Sequence, residues 1–378
     1  MSLDLRRQIR VFLSYSRDNG EMAARMVNHL EQLGVTVMHD QDIGPGTEFF
    51  KEIPWRISFA HIFICLLTEV SQKSPWVITE LGYALGARVP VLPICIGTSP
   101  EGLAKPLNAL ILKGDFSDLE KKVTRSSLDE LVDRARIDSE PASEVKDRLR
   151  ERTQFLVSET QRVYLYAKGR FPNHDFRIRQ RAAFTSFSIP DRSPDHPMWT
   201  NHAVWNKLGE TERELLRRER QILEAHATSF GCVLIIDPFV LPFEAEEDIG
   251  DGKPVPQPKY PVGALIARLE TLLKFLKAQD PTRCAVTIRK GRIHGNRTII
   301  GDWLCADAIV PHYKNGYRQT IFSRHGPTVL SRIQEFDREF DDSLEASGFS
   351  RNESCGKAMD EITKIINGFD PGYGGTSA

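Results

Sequence analysis

Val11-Phe12-Leu13-Ser14-Tyr15-Ser16 is a short β run, and the residues after it change period. Met22, Met26, Val27, Leu30 and Leu33 recur at helical spacing, so a strand is followed by an amphipathic helix. Gly34 ends that helix, and Val35–Met38 reads as a second strand. Asp42-Ile43-Gly44-Pro45-Gly46 must be a loop, because glycine and proline together interrupt both helix and ladder. A helix over Thr47–Ser58 leads to a third strand, His61–Leu67, apolar almost throughout as a strand buried on both faces should be. Ser74 as N-cap and Pro75 at the first helical position open a helix that runs to Gly86. Val89–Ile96 is the fourth strand, and its Pro90 and Pro93 favour a sheet edge. Strands alternating with helices in this order predict an α/β unit with a parallel sheet.

The pattern then changes. Residues 126–160 are charged and helix-prone with no strand signal, which predicts a solvated connecting helix. Strand signals resume at Arg162–Tyr166 and Ala183–Ser188, and Pro190–Pro197 is a proline-broken loop. A charged amphipathic helix over Glu210–Ser229 precedes the strand Gly231–Asp237, and Glu244–Lys259 reads as an acidic, Gly/Pro-rich loop. A helix over Val262–Lys277, strands at Cys284–Arg289, Arg297–Val310 and Tyr317–Phe322, and helices over Pro327–Leu344 and Glu353–Ile366 complete the chain. The expected organisation is a first domain over 1–125, a helical linker over 126–160, a second α/β domain with a mixed sheet over 161–366, and a disordered tail over 367–378.

Composition narrows the function classes. With 378 residues, 40% apolar and 27% charged, the chain is long enough for two cores and has the make-up of an ordinary globular protein. Fifty basic against 51 acidic residues give a net charge of −1, so no global field argues for nucleic acid or an anionic membrane. The six cysteines are dispersed, without a CxxC pair or a histidine at metal-ligand spacing; they read as reduced and buried, and no metal site is expected. The N-terminus has no signal-peptide pattern, and the longest apolar run, near Ala60–Thr68, is too short to span a bilayer. A cytoplasmic protein is the expectation.

One segment carries candidate chemistry. In a helix beginning at Pro75, Val77, Leu81, Ala84 and Leu85 share a face that must pack on the sheet. Trp76 and Glu80, one turn apart, are expected to flank that stripe. Because the helix follows the third strand, its early turns lie near the carboxyl end of a parallel sheet, where crevices bind ligands. Taken alone, a glutamate on a helix flank is a solvated surface residue.

Taken together and in order, Val11–Ser16 with Arg17-Asp18, Asp40 after the second strand, the Gly44-Pro45-Gly46 loop and Ser74-Pro75-Trp76-Val77-Ile78-Thr79-Glu80 resemble the TIR (Toll/interleukin-1 receptor) domain family, particularly its prokaryotic members, over residues about 9–115. The resemblance implies a flavodoxin-like parallel sheet. It also implies a reaction: many members cleave the nicotinamide–ribose bond of NAD, as glycohydrolases or with formation of cyclic ADP-ribose, with the helix glutamate, here Glu80, as the catalytic residue. NAD is then substrate and no cofactor is needed. Tyr15, Ser16, Arg17, Asp40 and Trp76 are the candidate substrate-binding residues. Tyr15 and Trp76 could instead be packing residues, and Arg17 a solvated loop charge. Ile43, Gly44, Pro45 and Gly46 would form the loop that meets a neighbouring TIR domain; a plain turn is the alternative. His39 precedes Asp40 where many relatives carry an aromatic residue.

The C-terminal part is less closely similar to half of a phospholipase-D-like domain, with the order Gly231–Pro238 and then Ile293–Asp302. The family's pattern is His-x-Lys-x-x-x-x-Asp; here the lysine position holds Asn296 and the aspartate position Gly301, with Asp302 displaced by one. His294, Asn296 and Arg297 are the candidate ligand-sensing residues, with a structural histidine as the alternative. The expected function is a NAD-cleaving immune (anti-phage) effector, activated when its C-terminal domain senses a ligand or partner protein and its TIR domains assemble. A non-catalytic TIR adaptor is the second reading, and a phosphodiesterase working through His294 the third.

Overall fold

The computed structural model describes residues 9–39, 49–138, 143–168, 174–182, 185–189, 209–237, 262–289, 295–308 and 319–368. Asp40, the Ile43–Gly46 loop, His294, the two loops expected at 190–197 and 244–259, and residues 369–378 lie outside them. The chain divides into two compact units, one of Met1–Ser143 with Ser323–Ser331 and one of Glu144–Phe322 with Arg332–Ala378.

In the first unit the expected alternation is present. β1 (Arg10–Ser14), α1 (Gly20–Gln32), β2 (Thr36–Met38), α2 (Phe49–Phe59), β3 (Ile62–Leu67), α3 (Pro75–Gly86) and β4 (Val91–Ile96) follow one another, then β5 (Leu110–Leu112), α4 (Leu119–Lys122) and α5 (Arg125–Asp138). Gly34 stands at φ +71° just beyond α1, a left-handed position suited to glycine. The strands form one sheet in the order β2-β1-β3-β4-β5, and every described pairing in it is parallel. This is a flavodoxin-like order, whose switch point lies between β1 and β3.

Strand alternation divides the residues between two faces. Ile9, Val11 and Leu13 join Ile62, Ile64 and Leu66 in a core that includes Met26 and Leu30 of α1 and Leu128 and Val132 of α5. Phe12 and Phe63 stack on the other face, their rings 5.8 Å apart.

Two expectations change here. β4 is not an edge strand, since it pairs with both β3 and β5. Pro93 is tolerated because β5 begins opposite Ile94, one residue further on, so the donor that proline lacks has no partner strand to meet. The charged segment 126–160 is not a solvated linker. α5 seals the first core through Leu128 and Val132, and Ser143–Lys146 is a strand, β6. The remainder belongs to α6 (Leu149–Ala167), which buries Leu156, Val157 and Val163. Charge on the outer face of these helices concealed the narrow apolar stripe on the inner one.

The elements that follow are β7 (Ile178–Ala182), α7 (Glu210–Phe230), β8 (Cys232–Ile236), α8 (Val262–Lys277), β9 (Cys284–Ile288), β10 (Asn296–Ile300), β11 (Leu304–Ala308), β12 (Thr320–Ser323), α9 (Gly326–Ser347) and α10 (Arg351–Gly368), all in the second unit except the stretch Ser323–Ser331, which includes the start of α9 and belongs to the first. The second unit's seven-stranded sheet has the order β6-β12-β11-β10-β7-β8-β9. β7, β8 and β9 run parallel, and β10 is antiparallel to both β7 and β11, so the sheet is mixed as expected. Arg162–Tyr166, expected as a strand, is helical within α6, and Ser186–Ser188 is a 3-10 turn. Both runs are rich in aromatic and hydroxyl residues, whose β preference is weak enough for packing to override.

His226 of α7 is fully buried, and its Nε2 donates to the Phe176 carbonyl at 2.7 Å. Burial pulls the imidazole down to about 4, against the smaller opposing effect of that hydrogen bond. The folded protein thus holds His226 neutral, whereas an unfolded chain protonates it below its ordinary value of 6.5. The stabilisation is complete above that value and is lost as pH falls towards 4, by up to about 3 kcal/mol. His226→Gln should flatten this part of a denaturation midpoint measured against pH.

Candidate active site

The carboxyl ends of β1 and β3, at the switch point, carry Ser14 and Cys65 opposite one another in register. α3 packs over this end of the sheet. Its buried residues are Val77, Glu80, Leu81 and Ala84, whereas Leu85 is 37% exposed. Glu80 therefore does not flank the stripe as expected; it lies in it, 2% exposed. The inward face of α3 is therefore made by Val77, Glu80, Leu81 and Ala84, one position round the helix from the expected stripe, which leaves Leu85 turned outward.

The side-chain hydroxyl of Ser14 donates to Glu80 Oε2 at 2.5 Å, and Ser14 is itself 1% exposed. Cys65 lies close enough to feel the carboxylate. Burial, then Cys95, then Glu80 push its thiol up to about 12, against an opposing backbone hydrogen bond, so it stays protonated and is no nucleophile. Beside this pair is a second polar group. Thr68 Oγ1 donates to Asn19 Oδ1 at 3.1 Å, the Thr68 amide donates to Ser71 Oγ at 2.6 Å, and Ser71 Oγ donates to the Leu66 carbonyl at 2.8 Å. These bonds tie the turn after β3 to the turn after β1.

The other expected site residues are placed unevenly. Trp76, partly buried, is one helical turn before Glu80. Tyr15 packs against the core under α1 and α5, on the face opposite Ser14. Ser16 and exposed Arg17 flank and begin a 3-10 turn, Arg17–Asn19. Ser14, Asn19, Thr68 and Ser71 were missed by sequence reasoning. Ser14 had a usable signal, a hydroxyl in an otherwise apolar strand whose inward positions alternate.

A parallel sheet of this order, with a buried carboxylate at the carboxyl end of its switch point, defines a flavodoxin-like domain with a polar centre where such folds bind ligands. Residues 11–132 match the family model described as TIR domain, and this segment is a TIR domain. Its extent includes the start of α5, beyond the expected end at 125.

Among solved structures, the chain is similar to the CMP N-glycosidase BcmB of Clostridium botulinum, at 18% identity over 32% of this chain and 97% of that one, with a TM-score of 0.23. It is also similar to a response regulator receiver domain protein of Bacillus halodurans, at 21% identity over 33% and 97%, TM-score 0.23. The TIR domains of the activated Roq1 resistosome recognising the pathogen effector XopQ share 16% identity over 35% and 86%, TM-score 0.24. No curated protein matches the chain.

In the second unit, Asn296 begins β10 opposite Ala308 of β11. Arg297 is consumed by structure: its Nε meets Asp307 Oδ1 at 2.6 Å and its Nη1 meets Glu335 Oε2 at 3.0 Å. Arg177, Arg179 and Arg181 are likewise paired, with Asp175, with Asp175 and Asp337, and with Glu339. Gly301, at the position where the phospholipase-D-like pattern has aspartate, sits at φ +53° in the β10–β11 turn. A Cβ there would lie 2.8 Å from Phe176 Cδ1 and 3.0 Å from its Cα. A side chain at that position does not fit without displacing Phe176. Gly301→Ala should destabilise the second unit by about 1–3 kcal/mol through backbone strain and the displaced ring, read as a lowered denaturant midpoint. Among the described residues, no group of three or more His, Cys, Asp or Glu is placed to hold a metal ion, and no helix is long and apolar enough to cross a membrane.

Proposed function

We propose that the TIR domain cleaves the nicotinamide–ribose bond of NAD, with Glu80 as the catalytic residue. The observation that carries this is the placement of one carboxylate, Glu80, buried at the carboxyl end of the switch point and held there by a hydrogen bond. NAD cleavage asks for little more. The bond electrons leave with the ring nitrogen of an already cationic pyridinium, so no general acid is needed, and the ribosyl group passes through an oxocarbenium-like state. A carboxylate in a water-poor site stabilises that developing charge. Water then adds at the anomeric carbon, giving ADP-ribose, nicotinamide and a proton; capture by a group within the dinucleotide would give a cyclic product instead.

The burial of Glu80 also supports activation by assembly. A carboxylate closed to solvent serves no substrate until the site opens, and docking of neighbouring TIR domains is a physically reasonable trigger, with the second unit sensing the ligand or partner of an immune effector. Nicotinamide release from NAD, followed at protein concentrations that promote assembly and compared with Glu80→Gln, tests the reading. One observation favours the second reading, a non-catalytic adaptor: α3 exposes Ile78, Tyr83 and Leu85 at 42%, 38% and 37%, an apolar surface suited to another protein. Absence of nicotinamide release at every concentration, with intact self-association, is the result that would favour it.

A further inference from the structure

We infer that Ser14 is a positioning residue for Glu80, an inference that rests on the NAD-cleaving reading. Ser14 is the last residue of β1, on the face of the sheet that α3 covers, and it is 1% exposed. A hydroxyl so placed must spend its proton inside the protein. It does so on Glu80 Oε2, across 66 residues of sequence, at 2.5 Å, a short O–H···O hydrogen bond.

The geometry gives this bond a task that packing cannot perform. Val77, Leu81 and Ala84 anchor α3 on the sheet through apolar contact, which is non-directional and leaves the terminal torsion of a glutamate unspecified. A hydrogen bond from a strand end fixes one oxygen, and with it the plane of the carboxylate. The donor is attached to β1, an interior strand paired with β2 and β3, and Ser14 itself lies in register with Cys65 of β3, which restrains its backbone. A carboxylate that must meet a ribosyl cation in one orientation gains from a rigid donor of this kind. Cys65, opposite Ser14 on β3, cannot substitute, because its thiol is a weak donor.

The test is steady-state NAD cleavage by the full chain carrying Ser14→Ala, Ser14→Thr or Glu80→Gln, with each variant's melting temperature measured in parallel. Ser14→Ala keeps the strand and removes only the donor. Its kcat should fall about 10-fold, with KM within about twofold of wild type, because ground-state binding does not depend on the carboxylate plane. Ser14→Thr, which keeps the hydroxyl on a β-branched residue suited to a strand, should recover most of that loss.

Wild-type kcat in a folded Ser14→Ala protein, with Glu80→Gln inactive, overturns the inference and leaves the NAD-cleaving reading standing. Equal losses in folded Ser14→Ala and Ser14→Thr proteins also overturn it, since they mark a steric requirement rather than a donor. Inactivity of the wild-type protein at every concentration overturns the reading, and the inference with it.

Discussion

Glu80→Gln is expected to abolish nicotinamide release while leaving the first unit folded. The amide keeps the shape of the side chain, and its oxygen can still accept the Ser14 hydroxyl that Glu80 Oε2 accepts at 2.5 Å. What it lacks is charge. Because the carboxylate's proposed role is to stabilise an oxocarbenium-like state from a buried position, neutralising it removes an interaction made chiefly in the transition state. The loss should be several kcal/mol, about 100-fold or more in kcat, with KM little changed. Burial of Glu80 makes glutamine, not alanine, the informative substitution. Glu80→Ala would leave a void under α3 and a buried Ser14 hydroxyl without its acceptor, mixing stability with catalysis. Nicotinamide formation measured by chromatography, beside a thermal melt of the same preparation, separates the two. Turnover within about threefold of wild type would remove Glu80 from the mechanism.

Arg179→Ala is expected to have the largest effect on stability in the second unit. Arg179 lies on β7 and is 1% exposed; its Nε donates to Asp337 Oδ1 at 2.9 Å, and its Nη2 donates to Asp175 Oδ2 at 2.8 Å and to Asp337 Oδ2 at 3.2 Å. Removing the guanidinium leaves Asp337 without this cation and Asp175 with Arg177 alone. Truncating one member of such a network costs about 3–5 kcal/mol, because the surviving charges remain desolvated.

The pH dependence has a definite sign. Burial by itself would raise the Asp175 carboxyl, but Arg179 and then Arg177 outweigh it and hold the group well below the usual carboxylate range. A depressed carboxyl contributes stability that is fully present above its unfolded value of 3.8 and is lost as pH falls through the folded value. In Arg179→Ala that contribution shrinks, so the mutational cost should diminish in strong acid, where wild type loses the same interaction. Guanidinium-induced unfolding at neutral pH and at acid pH checks both parts; equal midpoints for variant and wild type at neutral pH would show that the network is energetically idle. The double variant Arg179→Ala with Asp337→Ala should lose less than the sum of the two single losses.

Much of the first unit was legible in the sequence because its signals are local. β3 is an uninterrupted apolar run, α1 carries its apolar residues at helical spacing before Gly34, and Ser74-Pro75 marks the start of α3. In the second unit, α7, β8, α8 and β9 follow the expected segments closely for the same reason. The order of motifs around Glu80 singled it out as the candidate carboxylate.

What the sequence could not determine was which neighbours each residue would meet. Leu128 and Val132 looked like parts of a solvated linker until the face of the first sheet needed covering. Arg162–Tyr166 had the composition of a strand and became helix because α6 buries one side of it, and Pro93 looked like an edge marker until β5 proved to start one residue later. Arg297 passed for a ligand contact in the linear pattern, yet Asp307 on the next strand and Glu335 on α9 claim it. Glu80 was assigned its chemistry from sequence but not its burial. Helical periodicity specifies a stripe to within one residue either way, and only the docking angle of α3 on β1 and β3 turned the carboxylate inward to meet Ser14. Local propensity and period are properties of a segment, whereas pairing, burial and charge partnership are properties of distances that exist only once the chain has closed on itself.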